Sequence, residues 1–430
     1  MRVTYVTAGA AEMICGSCLR DNILVRRLRD LGCSVVLVPV YTPITVEGEN
    51  SSDNALLYGG ISVYLEQKFP PFRYLPGFMT KWLDRPGLVK SLTKKRKIEI
   101  EAENLGELTL SILRGEKGNQ RQSLKRAVQW IKKESRPNLI NLTNLLIAGF
   151  VPSIKRQLNV PVIVTLQGDD LFLDELTDSH RNLVIDELRL LASNIDGFIT
   201  FSQFYAKKMS NLLGVPEEKF HLVNLGVETD EFNDFTRCPI EDPTIGYFGR
   251  IAPEKGFHKI VDSFIEIHKE YNMKNARLCA GGWLSPADQD FFNEQINKLE
   301  SADLIGFFEH IGSPDLDKKK DFLGKIDVFS LPTTHEEPKG LSVLEAQACG
   351  VPVVQPKHGI FPEMLAKTGG GILYDPADSK SLSKEIVHLL TDKDHANQLG
   401  ESGRKNTFEL FSARKMAEQT LAVYQQFTDS

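Results

Sequence analysis

The sequence predicts an α/β architecture of two domains, each a doubly wound parallel sheet, and three observations carry that prediction. At 430 residues the chain is too long for one ordinary hydrophobic core and suits two. Short β-branched runs alternate with longer stretches of helical spacing from end to end, the pattern of parallel strands covered on both faces. Between the halves lies a polar stretch, residues 233–243, with prolines at 239 and 243, which reads as a linker.

In the first half the pattern predicts strands near residues 2–7, 34–40, 138–142, 161–166, 196–200 and 219–223. Helices are predicted between them, notably over 18–31, 122–134 and 182–193. The second half repeats the rhythm with strands near 244–248, 276–280, 305–309, 326–331, 351–354 and 370–373, and 413–427 has helical spacing. The expected domains are 1–232 and 244–405, with a closing helical segment over 406–430. Residues 41–121 break the alternation and read as an insertion, loop-like around Tyr58-Gly59-Gly60-Ile61 and aromatic from Phe69 to Phe78. A basic run, Ser91-Leu92-Thr93-Lys94-Lys95-Arg96-Lys97, follows. Aromatic residues beside basic ones suit peripheral contact with an anionic membrane surface, or grip on a second substrate. An ordinary insertion with a solvated charged face is the plainer reading.

Composition narrows the function classes. With 41% hydrophobic and 25% charged residues the chain has the make-up of a folded globular protein. A net charge of −6 argues against nucleic acid as a partner, which calls for a basic footprint. The longest apolar run, residues 142–151, is too short to span a bilayer and contains Asn144. Residues 1–8 read as a strand instead of a secretory signal, so the expected compartment is the cytoplasm, at most peripheral at the inner membrane face. Six scattered cysteines do not make a disulfide scaffold. Cys15 and Cys18 are spaced like a redox or zinc pair, yet no further ligands lie near them. Packing groups beside the small residues Gly16 and Ser17 is the simpler reading.

The chemistry concentrates in residues 326–354. A buried strand closed by Pro332 leads into a loop carrying Glu337; a helix over 341–349 follows, stopped by Gly350, where a left-handed cap is expected. The free N–H groups around Leu341 to Val343, at the start of the helix, suit a diphosphate. Glu345, just past that turn, can accept both hydroxyls of a ribose, and Glu337 can meet hydroxyls of a sugar attached to the diphosphate. Alone, this is also what a capped surface helix would look like. Arg250 and Lys255 change the balance: they sit in the loop ending the 244–248 strand, placed to neutralise a leaving diphosphate.

These segments resemble the retaining nucleotide-sugar glycosyltransferases of the GT-B fold that carry the group-one glycosyltransferase domain. Glu337 and Glu345 match that family's E-x7-E motif, and residues 249–256 match its G-R-x4-K-G element. Residues 344–354, 359–363 and 371–376 match further runs. The resemblance is dense over 244–376 and thinner over the N-terminal half. It implies two Rossmann-like domains facing across a cleft, the first on the acceptor side and the second binding the nucleotide sugar, with the last helix crossing back to the first domain. It implies transfer of a sugar from a UDP-, GDP- or ADP-sugar to an acceptor hydroxyl, with no tightly bound cofactor and no metal. Glu337, Arg250 and Lys255 would then be catalytic. Glu345, Gly340, Leu341, Ser342, Gly282 and Trp283 would bind the donor, Trp283 by stacking on the base.

On the acceptor side the resemblance points to Gly9, Gly16 and Ser17 in the loop after the first strand, and to the end of the 162–166 strand. There the family often has a histidine and this chain has Gln167, followed by Asp169 and Asp170. An amide cannot exchange protons near neutral pH, so either Gln167 acts by hydrogen bonding alone or one of the aspartates takes the polar role. Capping of the next segment is the rival reading for the aspartates. Lys339 is a second departure, standing where an aromatic residue is usual. Ser202 reads as a helix N-cap. Two other function classes stay open: a nucleotide-sugar epimerase on the same fold, and a nucleotide-sugar-binding sensor or partner subunit without turnover.

Overall fold

The computed structural model describes residues 1–9, 16–46, 49–74, 102–238 and 240–428. They form two compact units: Met1–Asn224 with Met416–Ser430, and Leu225–Lys415. The first holds a seven-stranded sheet of β1 (Arg2–Ala8), β2 (Ser34–Tyr41), β3 (Leu57–Gly59), β4 (Leu139–Leu142), β5 (Val162–Thr165), β6 (Gly197–Thr200) and β7 (Phe220–Leu222). Its spatial order is β3-β2-β1-β4-β5-β6-β7 and every pairing is parallel. Val6, Val38, Ile140, Leu142, Val164 and Phe198 are buried in one core. Both faces being covered explains why these strands read as continuous apolar runs. Strand order reverses between β1 and β4, so the loops leaving their carboxyl ends diverge and open a crevice at that end of the sheet.

The 41–121 segment is more than an insertion. It supplies β3 and the helix Gly60–Lys68, so Tyr58 and Gly59 lie in a strand and Gly60 starts a helix. Three residues, with Tyr58 at a φ of 57° and a register shift at Val40/Tyr41, are too short and irregular to show a period of two. Phe69 and Tyr74 are exposed. Residues 75–78 of the aromatic stretch, and the basic run at 91–97, lie outside the described residues.

The closing helix, Ala413–Thr428, contributes its residues from Met416 onward to the first unit. Tyr424, fully buried, donates through its hydroxyl to Asn141 Oδ1 at 3.1 Å, and Gln419 Oε1 accepts the Asn224 N–H at 2.7 Å.

The second unit holds β8 (Thr244–Phe248), β9 (Arg277–Gly281), β10 (Phe308–His310), β11 (Val328–Phe329), β12 (Val353–Pro356) and β13 (Gly371–Tyr374). Their order is β10-β9-β8-β11-β12-β13, again all parallel, with the reversal between β8 and β11. The helix Phe257–Glu270 buries Phe257, Ile260, Val261, Phe264 and Ile267, the stripe its spacing predicts. β11 is shorter than the six residues expected. Beyond it Ser330 N–H still donates to Gly246 O (2.9 Å), and side chains add Leu331 N–H to Gln355 Oε1 (3.3 Å) and Ser330 Oγ–H to Val354 O (2.7 Å). The start expected for β10 is a 3-10 turn, Ile305–Phe307. Within the segment that reads as a linker, Cys238 N–H donates to Gly324 O (3.0 Å) and Arg237 Nη2 to Ile326 O (2.8 Å), which ties it to the second unit. Among the described residues no helix is long and apolar enough to cross a membrane.

Candidate active site

In the second unit the loops leaving β8 and β11 lie on the two sides of the strand-order reversal, and glycines let them touch. Gly256 has a φ of 75°, and a Cβ there would fall 1.7 Å from Pro332 O, so only glycine allows this approach. The result is a direct ion pair between the two loops, Lys255 Nζ to Glu337 Oε2 at 2.6 Å. His335 closes the other side: its Nδ1–H donates to Glu254 O (2.9 Å) and its Nε2 lies 3.3 Å from Glu337 Oε2. Glu337 Oε1 accepts the N–H groups of Lys339 (3.2 Å) and Gly340 (3.4 Å), which aims the carboxylate at the start of the next helix. Burial alone would raise the Glu337 carboxyl; the Lys255 charge and the His335 contact outweigh it and hold the acid well below the usual carboxylate range.

Gly340, at a φ of 71°, begins the helix Leu341–Ala348. Val343 N–H, expected to be free, makes the first intrahelical bond, to Gly340 O, so only the N–H groups of Leu341 and Ser342 precede the ladder. Gly350 ends this segment at a φ of 72°, the cap the sequence predicts. Glu345 lies on the second turn, and its Oε1 is 3.2 Å from Lys319 Nζ on the helix Leu316–Lys325. Gly359 packs so closely on the Glu337 backbone that a Cβ would meet Glu337 N at 2.6 Å, and Ile360 N–H donates to Glu337 O at 2.9 Å.

The remaining donor-side residues sit at the ends of β8 and β9. A Cβ on Gly282 (φ 129°) would lie 1.8 Å from Gly249 O, and its N–H donates to Gly312 O at 2.6 Å. Trp283 accepts the Ile251 N–H at 2.9 Å and keeps about a third of its surface exposed. Arg250 is exposed and pairs with Glu254, not with either glutamate of the motif. Sequence reasoning missed Lys319, which meets Glu345 from a segment that no spacing rule connects to it. Gly359 falls in a matched run with no role assigned to it, and His335, near the site in sequence, reads as a lone structural histidine.

In the first unit one acceptor-side candidate, Gln167, joins a network around Asp21, which is fully buried on the helix Gly16–Asp30. Asp21 accepts from Tyr5 (3.1 Å), Thr7 (2.7 Å) and Thr143, and pairs with buried Arg20 (3.0 Å). Gln167 follows β5 and donates its amide N–H groups to Thr143 Oγ1 (2.8 Å), Thr143 O (3.2 Å) and Asp21 Oδ1 (3.3 Å). Those contacts fix the amide, and its buried Oε1 has no hydrogen-bond donor among the described residues. The aspartates hold structure: Asp169 Oδ2 accepts Gln167 N–H (2.9 Å) and Oδ1 the Leu145 N–H, while Asp170 accepts Tyr205 Oη–H (2.6 Å) and pairs with Lys208 (2.8 Å). Burial pushes Asp169 up to about 6, with Asp170 adding to the rise and the backbone N–H bonds opposing it. Ser202 caps its helix through Tyr205 N–H (3.2 Å), as its position predicts.

Gly9 approaches Thr42 so closely that a Cβ would meet its carbonyl at 1.8 Å. Gly16 is exposed and Ser17 half-buried at the helix start; the loop between, with Cys15, lies outside the described residues. Cys18 is buried with its Sγ 3.3 Å from Ala8 O, and Cys33, Cys238, Cys279 and Cys349 carry free thiols. One described group, His388, Asp392 and His395, has ligand-type atoms within 4.8 Å of one another. Lys393 beside it pairs with Asp327 at the amino end of β11, opposite the motif loops.

Comparison with known proteins agrees with this architecture. Residues 96–231 match the model of Glycosyltransferase Family 4, and residues 229–406 that of Glycosyl transferases group 1. The chain is 28% identical over 226 residues to the alpha-maltose-1-phosphate synthase of Mycolicibacterium smegmatis, covering 49% of this chain and 57% of that one. It is 27% identical over 215 residues to the capsular polysaccharide biosynthesis glycosyltransferase CapM of Staphylococcus aureus, covering 50% and 53%. It thus spans little more than half the length of these relatives. Sucrose-phosphate synthase from Thermosynechococcus elongatus shares the fold with a TM-score of 0.72 at 18% identity, covering 100% of both chains. Anabaena HepE in complex with UDP does so with a TM-score of 0.69 at 15% identity, covering 99% of this chain and 100% of that one. With two parallel α/β sheets reversing at the same point, and family matches running from residue 96 to 406, the chain belongs to the GT-B glycosyltransferases.

Proposed function

We propose that the protein is a retaining glycosyltransferase that moves a sugar from a nucleoside-diphosphate sugar to an acceptor hydroxyl. The observation that carries this reading is the Lys255–Glu337 pair, held beside the first N–H groups of the Leu341–Ala348 helix at the strand-order reversal. A dianionic diphosphate arriving there draws on the Lys255 ammonium and the N–H groups of Leu341 and Ser342 together, and Glu337 becomes available to sugar hydroxyls. Glu345 takes the ribose hydroxyls, with Gly282 and Trp283 toward the base and Arg250 reaching the phosphates once it leaves Glu254.

In the transfer itself the bond from the anomeric carbon to the diphosphate oxygen breaks as the acceptor oxygen forms its bond on the same face. The departing diphosphate takes the acceptor's proton, and the cations stabilise the charge that builds on it. In the first unit, Gln167 Oε1 offers a hydrogen-bond acceptor to a substrate hydroxyl, with Gly9, Gly16 and Ser17 allowing close approach of the backbone. Relatives described as a maltose-1-phosphate synthase and a capsular polysaccharide glycosyltransferase, and a UDP complex of a protein of the same fold, support a UDP-, GDP- or ADP-sugar donor.

The test is release of nucleoside diphosphate and glycoside formation from UDP-, GDP- and ADP-sugars, after thermal-shift screening picks the donor. Lys255→Ala and Glu345→Ala are expected to cut turnover at least a hundredfold in folded protein. Wild-type rates in both would sink the proposed site. A second reading, nucleotide-sugar binding without turnover, draws on Gln167, whose amide cannot move a proton. Stabilisation by a donor with no product across donor and acceptor panels would establish it instead.

A further inference from the structure

Lys319 lies 26 residues before Glu345, on another helix, and no motif includes it. Its side chain is 5% exposed, its ammonium is 3.2 Å from Glu345 Oε1, and the same ammonium stands 5.3 Å over the ring of Phe248, the last residue of β8. A lysine is rarely buried to this degree unless its charge is matched, because desolvating an ammonium costs several kcal/mol. Here the match includes a carboxylate on one side and an aromatic face on the other. The helix holding Lys319 is itself anchored at its start, where Asp315 Oδ1 accepts the Lys318 N–H at 3.0 Å.

We infer that Lys319 is the positioning residue for Glu345, and that it sets the preference of the site for ribose over deoxyribose. The inference rests on the proposed role of Glu345 as the ribose acceptor. A glutamate side chain on a helix surface samples several rotamers, and each costs entropy to freeze when a ligand binds. With Oε1 already held by a buried ammonium, Glu345 is fixed before the nucleotide arrives. Oε2 and the second lone pair of Oε1 are then the positions two hydroxyl donors would use. The carboxylate is an acceptor only, so it rewards a 2′,3′-diol and gains less from a sugar lacking one hydroxyl. Lys319 does not touch the substrate in this account; it acts through Glu345. Phe248 links the device to the β8 strand end, one residue before Gly249 and two before Arg250, so the ribose and phosphate parts of the site share one support.

The experiment is calorimetric titration with UDP, GDP and ADP and their 2′-deoxy counterparts, against wild type, Lys319→Met, Lys319→Arg and Glu345→Gln. Circular dichroism melts confirm that each variant is folded. Wild type is expected to bind one ribonucleotide at least tenfold more tightly than its deoxy form. Lys319→Met and Glu345→Gln should both bring that ratio to within threefold of unity, while Lys319→Arg, which keeps a cation in place, should restore most of it. A purely structural lysine would weaken ribo and deoxy forms alike, and that equal loss in Lys319→Met overturns the inference. If Glu345→Gln loses the preference and Lys319→Met keeps it, the ribose role of Glu345 stands and the positioning role falls. If Glu345→Gln itself retains the wild-type ratio, the proposed role of Glu345 fails first and takes the inference with it. Should Lys319→Met not fold, Lys319→Gln and Lys319→Arg carry the same comparison.

Discussion

Glu337 and Asp169 are both carboxylates buried beside a loop that follows a parallel strand, one in each unit, and their surroundings drive them in opposite directions. Glu337 faces a lysine and a histidine, which overcome the burial that would raise it and hold it well below the usual range. Asp169 faces two backbone N–H groups and a second carboxylate, and burial pushes it up to about 6. The difference teaches what each region offers a ligand. The second unit stores opposite charges that a dianion can rearrange. The first unit surrounds Gln167 with a fixed hydrogen-bond network that presents one neutral acceptor. In the proposed function the former suits a donor diphosphate and the latter an uncharged sugar hydroxyl.

The largest effect should follow from breaking the charged side. Lys255→Met leaves Glu337, 5% exposed, without its strongest partner. Removing one member of a buried pair costs about 3–5 kcal/mol; His335 still faces Glu337 and water reaches Lys255, which argues for the lower end, about 3 kcal/mol. Denaturant unfolding of Lys255→Met, Glu337→Met and the double variant forms the cycle that measures this. The double variant should be closer to wild type than Lys255→Met is. Simple additivity of the two losses would mean that the pair is not coupled.

The next effect separates the two carboxylates by pH. The folded-state value of Asp169, about 6, lies above the ordinary aspartate value of 3.8. Its contribution is therefore fully present below about pH 4 and lost as pH rises through 6, a change of about 3 kcal/mol across that window. Glu337 is depressed, so its contribution is present above about 4.5 and lost as pH falls through its lower folded value. Asp169→Asn should remove the decline between pH 4 and 6 while leaving the acid loss below 4.5 intact; Glu337→Gln should do the reverse. Urea midpoints taken from pH 3 to 7 on all three proteins give the slopes. Parallel slopes in wild type and Asp169→Asn would show that Asp169 does not titrate there.

How much of this was legible in sequence differs between the same two regions. Lys255, Glu337 and Glu345 stand out because loop, helix start and cap are local features with residue-type signatures, such as Gly340 and Gly350 at left-handed positions. That Lys255 and Glu337 pair directly was not legible, because it depends on Gly256 meeting Pro332, 76 residues away. Strand order, too, follows from packing and has no local signal, yet it decides which loops become neighbours. In the first unit the network around Asp21 joins residues 5, 7, 20, 143 and 167, one or two from each element. Single threonines and tyrosines carry no periodicity, so only Gln167 drew notice, as a departure from a motif. β3 escaped because three irregular residues cannot display alternation. Lys319 escaped because one lysine on an otherwise charged helix reads as solvated until its burial is seen.

The smallest expected effect concerns Arg250, and it sharpens the contrast by showing what charge exposed to solvent is worth. Its pair with Glu254 is about 40% exposed on both sides and spans one helical turn in sequence. Such pairs contribute about 0–1 kcal/mol, because water screens them and two long side chains must be held in place. Arg250→Ala should therefore unfold within about 0.5 kcal/mol of wild type, in contrast to Lys255→Met. Its effect should fall on the donor: an exposed arginine released from Glu254 gains a stronger partner only when a diphosphate arrives, by a planar fork of charge-assisted bonds. Calorimetry with a nucleoside diphosphate and with the matching nucleoside separates the two contributions. The variant should lose about tenfold in affinity for the diphosphate and little for the nucleoside. Glu254→Ala should tighten diphosphate binding modestly by freeing the same guanidinium. Equal losses for nucleoside and diphosphate in Arg250→Ala would place that side chain away from the phosphates and leave Lys255 as the cation that holds them.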